Sequence, residues 1–258
     1  MERELIIDSL QKVRISGLVV KGPNGKLRIE NGAKLDLSDS DLSGAQAVRA
    51  IGAIDVRRTV FRNCQDACIA FYGVDGNVQV SQSSFTAGAA SRIAIDLDQC
   101  PVGLEPAANL VGNVFVGFPT AVRVGANFQR STSIVHQTFH ANGVAISYEG
   151  GWEHVLLNNV FSGQTAASIL GCEGLFALRR DHVLYDQAAA DGCLAGDPGV
   201  VRADPLFGSA AGGDFRLQWG SPLIDTAPPV PVVGVDVNGA APGFYFGAGP
   251  DYGGRETY

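Results

Sequence analysis

Leu156-Leu157-Asn158-Asn159-Val160-Phe161 carries a pattern that recurs from one end of the chain to the other. An aliphatic residue is followed five positions later by a bulky apolar one, usually Phe. The pairs are Ile15/Val20, Leu37/Leu42, Val56/Phe61, Val80/Phe85, Leu110/Phe115, Ile134/Phe139, Leu156/Phe161 and Leu178/Val183, with Val201/Leu206 as a ninth. Their second members are 22, 19, 24, 30, 24, 22, 22 and 23 residues apart. Repetition at roughly 20 to 30 residues marks a solenoid, in which each repeat buries its apolar face only against its neighbours. The longest step, from Phe85 to Phe115, marks an inserted loop around Cys100 to Pro106. Such loops often line a binding face.

Inside the repeats the apolar residues alternate, as in Val13-Arg14-Ile15, Leu27-Arg28-Ile29, Leu35-Asp36-Leu37 and Ile54-Asp55-Val56. This is the period of strands, and helical periodicity is missing. From residue 61 to 170 each repeat carries a further short strand after its Phe: Cys68-Ile69-Ala70-Phe71, Ile93-Ala94-Ile95, Val122-Arg123-Val124, Val144-Ala145-Ile146 and Ala167-Ser168-Ile169. Equivalent strands stacked in parallel, about 4.8 Å apart, turn these positions into ladders. Two or three ladders around one axis make a parallel β-helix.

The bulk composition agrees with one elongated domain. Hydrophobic residues make up 46% of the 258-residue chain, enough for a continuous core, and its 33 glycines and 12 prolines suit many short strands joined by turns. Net charge is −7, and Lys occurs only at Lys12, Lys21, Lys26 and Lys34. With no basic stripe, neither nucleic acid nor an anionic membrane surface is an expected partner. No apolar run approaches transmembrane length, and no secretory leader is legible, although a mature chain would read the same way. Five cysteines leave two alternatives open. Cys64 can bridge Cys68 and Cys172 can bridge Cys193, leaving Cys100 free, or all five are reduced and buried. No spacing suits a zinc-thiolate site.

The succession VRISGLVV, IDVRRTVF, VQVSQSSF, NLVGNVF and LLNNVF resembles the coils of right-handed parallel β-helix proteins related in fold to pectate lyases. Residues 204–258 are similar to the terminal segment of secreted bacterial β-helix proteins described as choice-of-anchor domains. There, D-P-x-F, D-F-x-L and S-P-x-I-D elements precede a closing D-I-G-A-Y-E-like tail. Asp204-Pro205-Leu206-Phe207, Asp214-Phe215-Arg216-Leu217 and Ser221-Pro222-Leu223-Ile224-Asp225 match, whereas Asp251-Tyr252-Gly253-Gly254-Arg255-Glu256 departs from the tail. The fold class implied is all-β, a single-stranded right-handed parallel β-helix solenoid of about nine coils with a C-terminal cap. Residues 1–203 are expected to form the coils, and 204–258 the last coil and capping segment of the same domain. The Pro-rich run at 227–231 cannot continue a central ladder, because Pro lacks the amide donor. A cap there would hide an open sheet edge. The short start, residues 1–12, reads as the entry to a C-terminal part of a longer protein.

Register turns the repeat into surface columns. With Ile93, Ile95 and Leu97 inward, Asp96 and Asp98 point outward. One coil later the same parity exposes Arg123, Gly125 and Asn127, then Ala145, Ser147 and Glu149. Asp98, Asn127 and Glu149 form an expected column, with Asp96, Arg123 and Tyr72 adjoining, Tyr72 beside Asp96, and Tyr148 and Trp152 near in sequence. Carboxylates and Asn bind sugar hydroxyls, and aromatic faces stack on sugar rings. Candidate substrate-binding residues are therefore Tyr72, Asn127, Tyr148 and Trp152. Candidate catalytic residues are Asp96, Asp98, Arg123 and Glu149, since paired acids at about 5–9.5 Å suit glycoside hydrolysis. No metal ligands are assigned and no cofactor is required, though clustered oxygens of this kind would suit calcium. Ordinary strand alternation also puts polar residues outward.

The expected function is a secreted or surface-associated β-helix, extracellular or at the cell surface, that binds a polysaccharide or cell-surface glycan or serves as a structural, adhesive stalk. The alternative is a polysaccharide lyase or glycoside hydrolase working in a shallow groove. Against the alternative, the pectate-lyase arginine motif is not recognisable, and the polygalacturonase-type Asn-Thr-Asp, Asp-Asp and Gly-His-Gly motifs are absent. No Lys follows residue 34 to act as a base in the middle coils. Asn113, Asn158 and Asn159 sit at bends, where turn chemistry accounts for them. His136, His140, His154 and His182 share no motif and read as structural.

Overall fold

The structure, a computed structural model, describes residues 3–8, 12–22, 25–30, 32–44, 46–73, 76–100, 108–150, 153–173, 177–181, 183–185, 193–194 and 199–224. Successive coils contribute strands to three parallel sheets. Sheet 1 has eight strands, from Arg3–Ile7 to Ala167–Leu170. Sheet 2 has eight, from Lys12–Ser16 to Ala177–Asp181, and sheet 3 has nine, from Val19–Lys21 to Val200–Val201. The chain is thus an all-β parallel β-solenoid, with eight, eight and nine stacked strands among the described residues against the expected count of about nine coils. Among the described residues the helical content is one 3₁₀ turn, Ala210–Gly212, and no helix is long and apolar enough to cross a membrane. The inserted loop at 101–107 and the Pro-rich run at 227–231 lie outside the described residues.

The turn from sheet 2 to sheet 3 is the same in coil after coil. One residue adopts a left-handed conformation: Gly17, Asp39, Arg58, Gln82, Gly112, His136 and Asn158, with φ between 45° and 71°. Non-glycine residues rarely adopt this region, so the surroundings must hold it. Backbone bonds do so: the amide of each of the first six reaches a carbonyl of the following coil, as in Arg58 to Ser81 and His136 to Leu157. From Ser40 onwards the next residue is polar and buried, and the side chains of Ser40, Ser83, Asn113, Gln137 and Asn159 link coils. Thr59 N–H donates to Ser83 Oγ at 3.1 Å, Ser83 N–H to Asn113 Oδ1 at 2.9 Å, Asn113 N–H to Gln137 Oε1 at 3.1 Å, and Gln137 N–H to Asn159 Oδ1 at 2.9 Å. Asn113 and Asn159 then donate from Nδ2 to the carbonyls of Val80 and Ile134. Turn chemistry therefore describes Asn158. Asn113 and Asn159 are rungs of an internal hydrogen-bond ladder that satisfies the corner amides of Thr59, Ser83, Asn113 and Gln137 in the core.

Beyond the corner, the aromatic residues stack. Phe61, Phe85, Phe115, Phe139 and Phe161 lie with ring centroids 4.7 to 5.1 Å apart and nearly parallel planes. Their spacing equals the strand spacing, so register and ring contact are the same fact. Opposite them, Ile15, Leu37, Val56, Val80, Leu110, Ile134 and Leu156 pair in sequence order. The pattern then slips. Leu156 pairs with Arg180 and Phe161 with Tyr185, so Leu178/Val183 is displaced by two residues from the repeat. Val201 pairs with Leu184 in sheet 3, so Val201/Leu206 is not a ninth copy.

Both cysteine bridges are formed, Cys64–Cys68 and Cys172–Cys193, with Cα atoms 5.2 and 5.7 Å apart. The described part of the C-terminal segment folds as an antiparallel hairpin, Phe207–Ser209 with Asp214–Leu217. Asp204 accepts the Leu206 amide, and Ser221 Oγ donates to the Pro205 carbonyl, so the D-P and S-P elements tie to each other. Leu217 and Leu223 pack on Val160, while Phe207 and Phe215 meet the His140 ring. Val160 and His140 flank the inward Phe161 and Phe139 in sheet 3, so this hairpin covers the flank of that sheet, where a cap over the last coil was expected. Phe139→Ala is expected to lower stability by about 3–5 kcal/mol, because the emptied ring site breaks the stack on both sides. A thermal or urea midpoint checks this, and a loss near zero would mean that the ring is not a core element.

Candidate functional site

The outward face of sheet 1 carries the candidate residues. In one column the register runs Arg28, Arg49, Ala70, Asp96, Arg123, Ser147, Leu170. The two central strands, Ser91–Cys100 and Thr120–Phe128, are ten and nine residues long and project past their neighbours. Between them lies a bulge: Leu97 pairs with Val124 but Gln99 with Asn127, so Gly125 and Ala126 oppose Asp98 alone. Gly125 packs closely against Asp98. A Cβ there would lie 2.6 Å from Asp98 Oδ1.

Arg123 is the hub of the site. Its Nε and Nη2 donate to the two oxygens of Asp96 at 2.8 and 3.1 Å, a fork-to-fork pair. Nη2 lies 3.4 Å from Asp98, and Nη1 lies 3.6 Å from Glu149. Side-chain exposure rises outward, from 8% for Asp96 through 28% for Asp98 to 45% for Glu149. The hydrogen bonds that Arg123 donates to Asp96 push its pKa upward against the effect of burial, with the charges of Asp96, Asp98 and Glu149 adding. The guanidinium is a fixed cation, a donor of hydrogen bonds and no acceptor of protons.

Tyr72 follows Phe71, which pairs with Leu97, so it falls at the level of Asp98, whereas Ala70 occupies the place beside Asp96. Its ring lies under the Arg49 guanidinium, 5.1 Å from centroid to Cζ. Burial and then the nearby Asp96 raise the phenol's pKa, so it remains a hydroxyl at ordinary pH. Asn127 is exposed but stands beside Gln99, displaced by the bulge from the expected column with Asp98 and Glu149. Tyr148 faces the core at 3% exposure and packs on His154 at 4.2 Å, so its ring is not offered to a ligand. Parity requires this, since Ser147 points outward. Trp152 lies outside the described residues. The structure therefore brings together Asp96, Asp98, Arg123 and Glu149, with Tyr72 beside them.

Arg49 was missed from sequence, although it shares a strand position with Arg28 one coil earlier and could have been found by extending the column towards the N-terminus. Trp219, 96% exposed after the C-terminal hairpin, was also missed, and no periodic signal marks it. Among the described residues no group of three or more His, Cys, Asp or Glu is placed to hold a metal ion. The three carboxylates converge on Arg123, which takes the position a cation would need.

By fold and site this is a parallel β-solenoid with an ion-paired polar strip on one sheet face. No protein-family profile matches the chain, and no curated protein matches it.

Two outcomes follow. Arg123→Gln is expected to cost about 1–3 kcal/mol at neutral pH, because it leaves Asp96 charged and nearly buried without its partner. Urea midpoints of variant and parent at neutral pH check this, and equal midpoints would mean that the pair contributes nothing to stability. His154 is buried, accepts from Thr132 Oγ1 at Nδ1 (2.7 Å), and donates from Nε2 to the Gly150 carbonyl (3.2 Å). Burial pushes its pKa down from 6.5 to about 4. The unfolded chain thus binds the proton first, and stability falls by up to about 3 kcal/mol as pH drops from 6.5 towards 4. His154→Asn should flatten that slope in a pH series of urea midpoints.

Proposed function

We propose that the protein is a secreted or surface-associated β-solenoid that binds glycan along the outward face of sheet 1. The observation that carries this is the Arg123 hub, which gathers Asp96 and Asp98 from the coil before it and Glu149 from the coil after it in one graded, partly exposed strip. A sugar presents neighbouring hydroxyls that both donate and accept. Exposed carboxylate oxygens accept such bonds, and immobilised side chains give up less conformational entropy on binding than free ones. The Tyr72 phenol adds a donor at the same level. Two disulfides support an oxidising compartment. Asp204 to Asp225 adds the resemblance to the terminal segment of secreted choice-of-anchor proteins.

The competing role, a polysaccharide lyase or hydrolase using Asp96, Asp98, Arg123 and Glu149, has weaker support. A lyase needs a base, and Arg123 stays protonated. A hydrolase needs one carboxyl free to deliver a proton, and both oxygens of Asp96 already accept from Arg123.

A glycan-array screen with and without calcium, followed by size analysis of any polymer bound, tests the proposal. Binding with unchanged polymer length is expected, together with binding about tenfold weaker for Asp98→Asn, which should lose less than about 1 kcal/mol of stability at its partly exposed site. Shortened polymer would replace the binding role with an enzymatic one, and an unsaturated end group would identify a lyase. Absence of binding to every glycan would leave a structural stalk.

A further inference from the structure

Two rungs before Asp96 on the same face, a groove of about 650 Å³ opens over Arg49, Lys26, Arg28, Ala67, Ala70 and Tyr72, with Glu4, Gln65 and Asp66 also lining it. Within this lining Arg28 is ion-paired with Glu30, and Asp66 approaches Arg92 at 4.0 Å, both of these side chains largely exposed. Arg49 is exposed and among the described residues makes no ion pair. The Tyr72 ring 5.1 Å away supports its guanidinium. A cation held over an aromatic face keeps its fork of N–H donors for a planar acceptor.

The space before that fork is also built. Ala70 stands in the rung between Arg49 and Asp96, and both Ala70 and Ala67 are 5% exposed. Where the rungs on either side carry long charged side chains, the intervening rung carries a methyl. Two rungs at the strand spacing of about 4.8 Å separate the Arg49 and Asp96 backbones by about 10 Å, and the Ala70 side chain does not fill the interval.

We infer that Arg49 anchors an oxyanion substituent, carboxylate or sulfate, of the sugar lying over Ala67 and Ala70, a subsite that rests on the glycan-binding role of this sheet. The far end of the strip holds three carboxylates against one guanidinium and repels a second oxyanion. The ligand class is accordingly a sparsely acidic glycan, with an anionic sugar at Arg49 and neutral sugars towards Arg123. A uniformly charged polyanion is disfavoured.

Calorimetric titration with three oligosaccharides of one backbone, neutral, singly carboxylated and singly sulfated, tests this on the parent and on Arg49→Gln and Arg49→Lys. The parent is expected to bind at least one acidic oligosaccharide tenfold or more tighter than the neutral one. Arg49→Gln should erase the preference, and Arg49→Lys should keep part of it. Preference for carboxylate or for sulfate separates the two sources of the oxyanion. Equal affinity for neutral and acidic sugars, or a preference that survives Arg49→Gln, overturns the subsite while leaving glycan binding intact. If no oligosaccharide binds, sulfate alone decides: a melting-point rise greater in the parent than in Arg49→Gln keeps the anion site and removes the sugar, and an equal rise overturns both. Should Arg49→Gln lose its native circular dichroism spectrum, Arg49→Lys supplies the same comparison through its reduced preference.

Discussion

The structure depends on a two-residue corner. In each coil from Gly17 to Asn158 a left-handed residue turns the chain out of sheet 2, and the polar residue after it, at Ser40, Ser83, Asn113, Gln137 and Asn159, bonds the coil before. A corner of fixed length sets where sheet 3 begins, and hence places one Phe ring over the next. The buried amides of Asn113, Gln137 and Asn159 would be costly in an apolar core without partners, and a one-residue slip would remove those partners together. Register is thus enforced by polar groups, while the bulk of the stabilisation comes from the apolar column they align.

The five-residue interval between aliphatic and Phe is the visible imprint of this corner, which is why the solenoid was legible from sequence. Its failures have identifiable causes. Arg180 occupies the register of Leu156, and an apolar pattern selects Leu178 two places away. The bulge at Gly125 and Ala126 is invisible to strict alternation, so Asn127 was carried into a column that it leaves. Tyr148 was proposed for its nearness to Glu149, although the parity that exposes Ser147 sends Tyr148 inward. The Asn ladder was half legible: the bend shows in sequence, but an amide reaching the neighbouring coil does not. The hairpin after Asp204 was not read from the sequence, which reveals that Phe207, Phe215 and Leu217 need cover without revealing that the flank of sheet 3 supplies it.

A solenoid separates core from surface. Inward positions are held by stacking, whereas outward positions touch only their own column and can change without disturbing the fold. The charges around Asp36 on sheet 2 show what an unspecialised column looks like: Lys12, Arg14 and Lys34 all surround it, each with its side chain exposed. Exposed pairs of this kind contribute little to stability, about 0–1 kcal/mol each.

The Arg123 cluster is organised differently. Asp96 is desolvated, the strands beneath are the longest in sheet 1, and a glycine bulge brings Asp98 within reach of the same guanidinium. Burying a carboxylate against a guanidinium rarely adds net stability over an apolar pair, so stability alone is a poor reason for the arrangement. Its geometric effect is definite. It draws Asp98 and Glu149 from the coils on either side to within 3.4 and 3.6 Å of one guanidinium. Towards the N-terminus, the Tyr72 ring lies under the Arg49 guanidinium. A rigid acidic strip and a rigid basic group, separated by the gap at Ala70, give this face a polarity along the solenoid axis. For an extended ligand lying along that axis, polarity selects direction as well as composition, because reversing the chain would set its acidic sugar against Asp98 and Glu149.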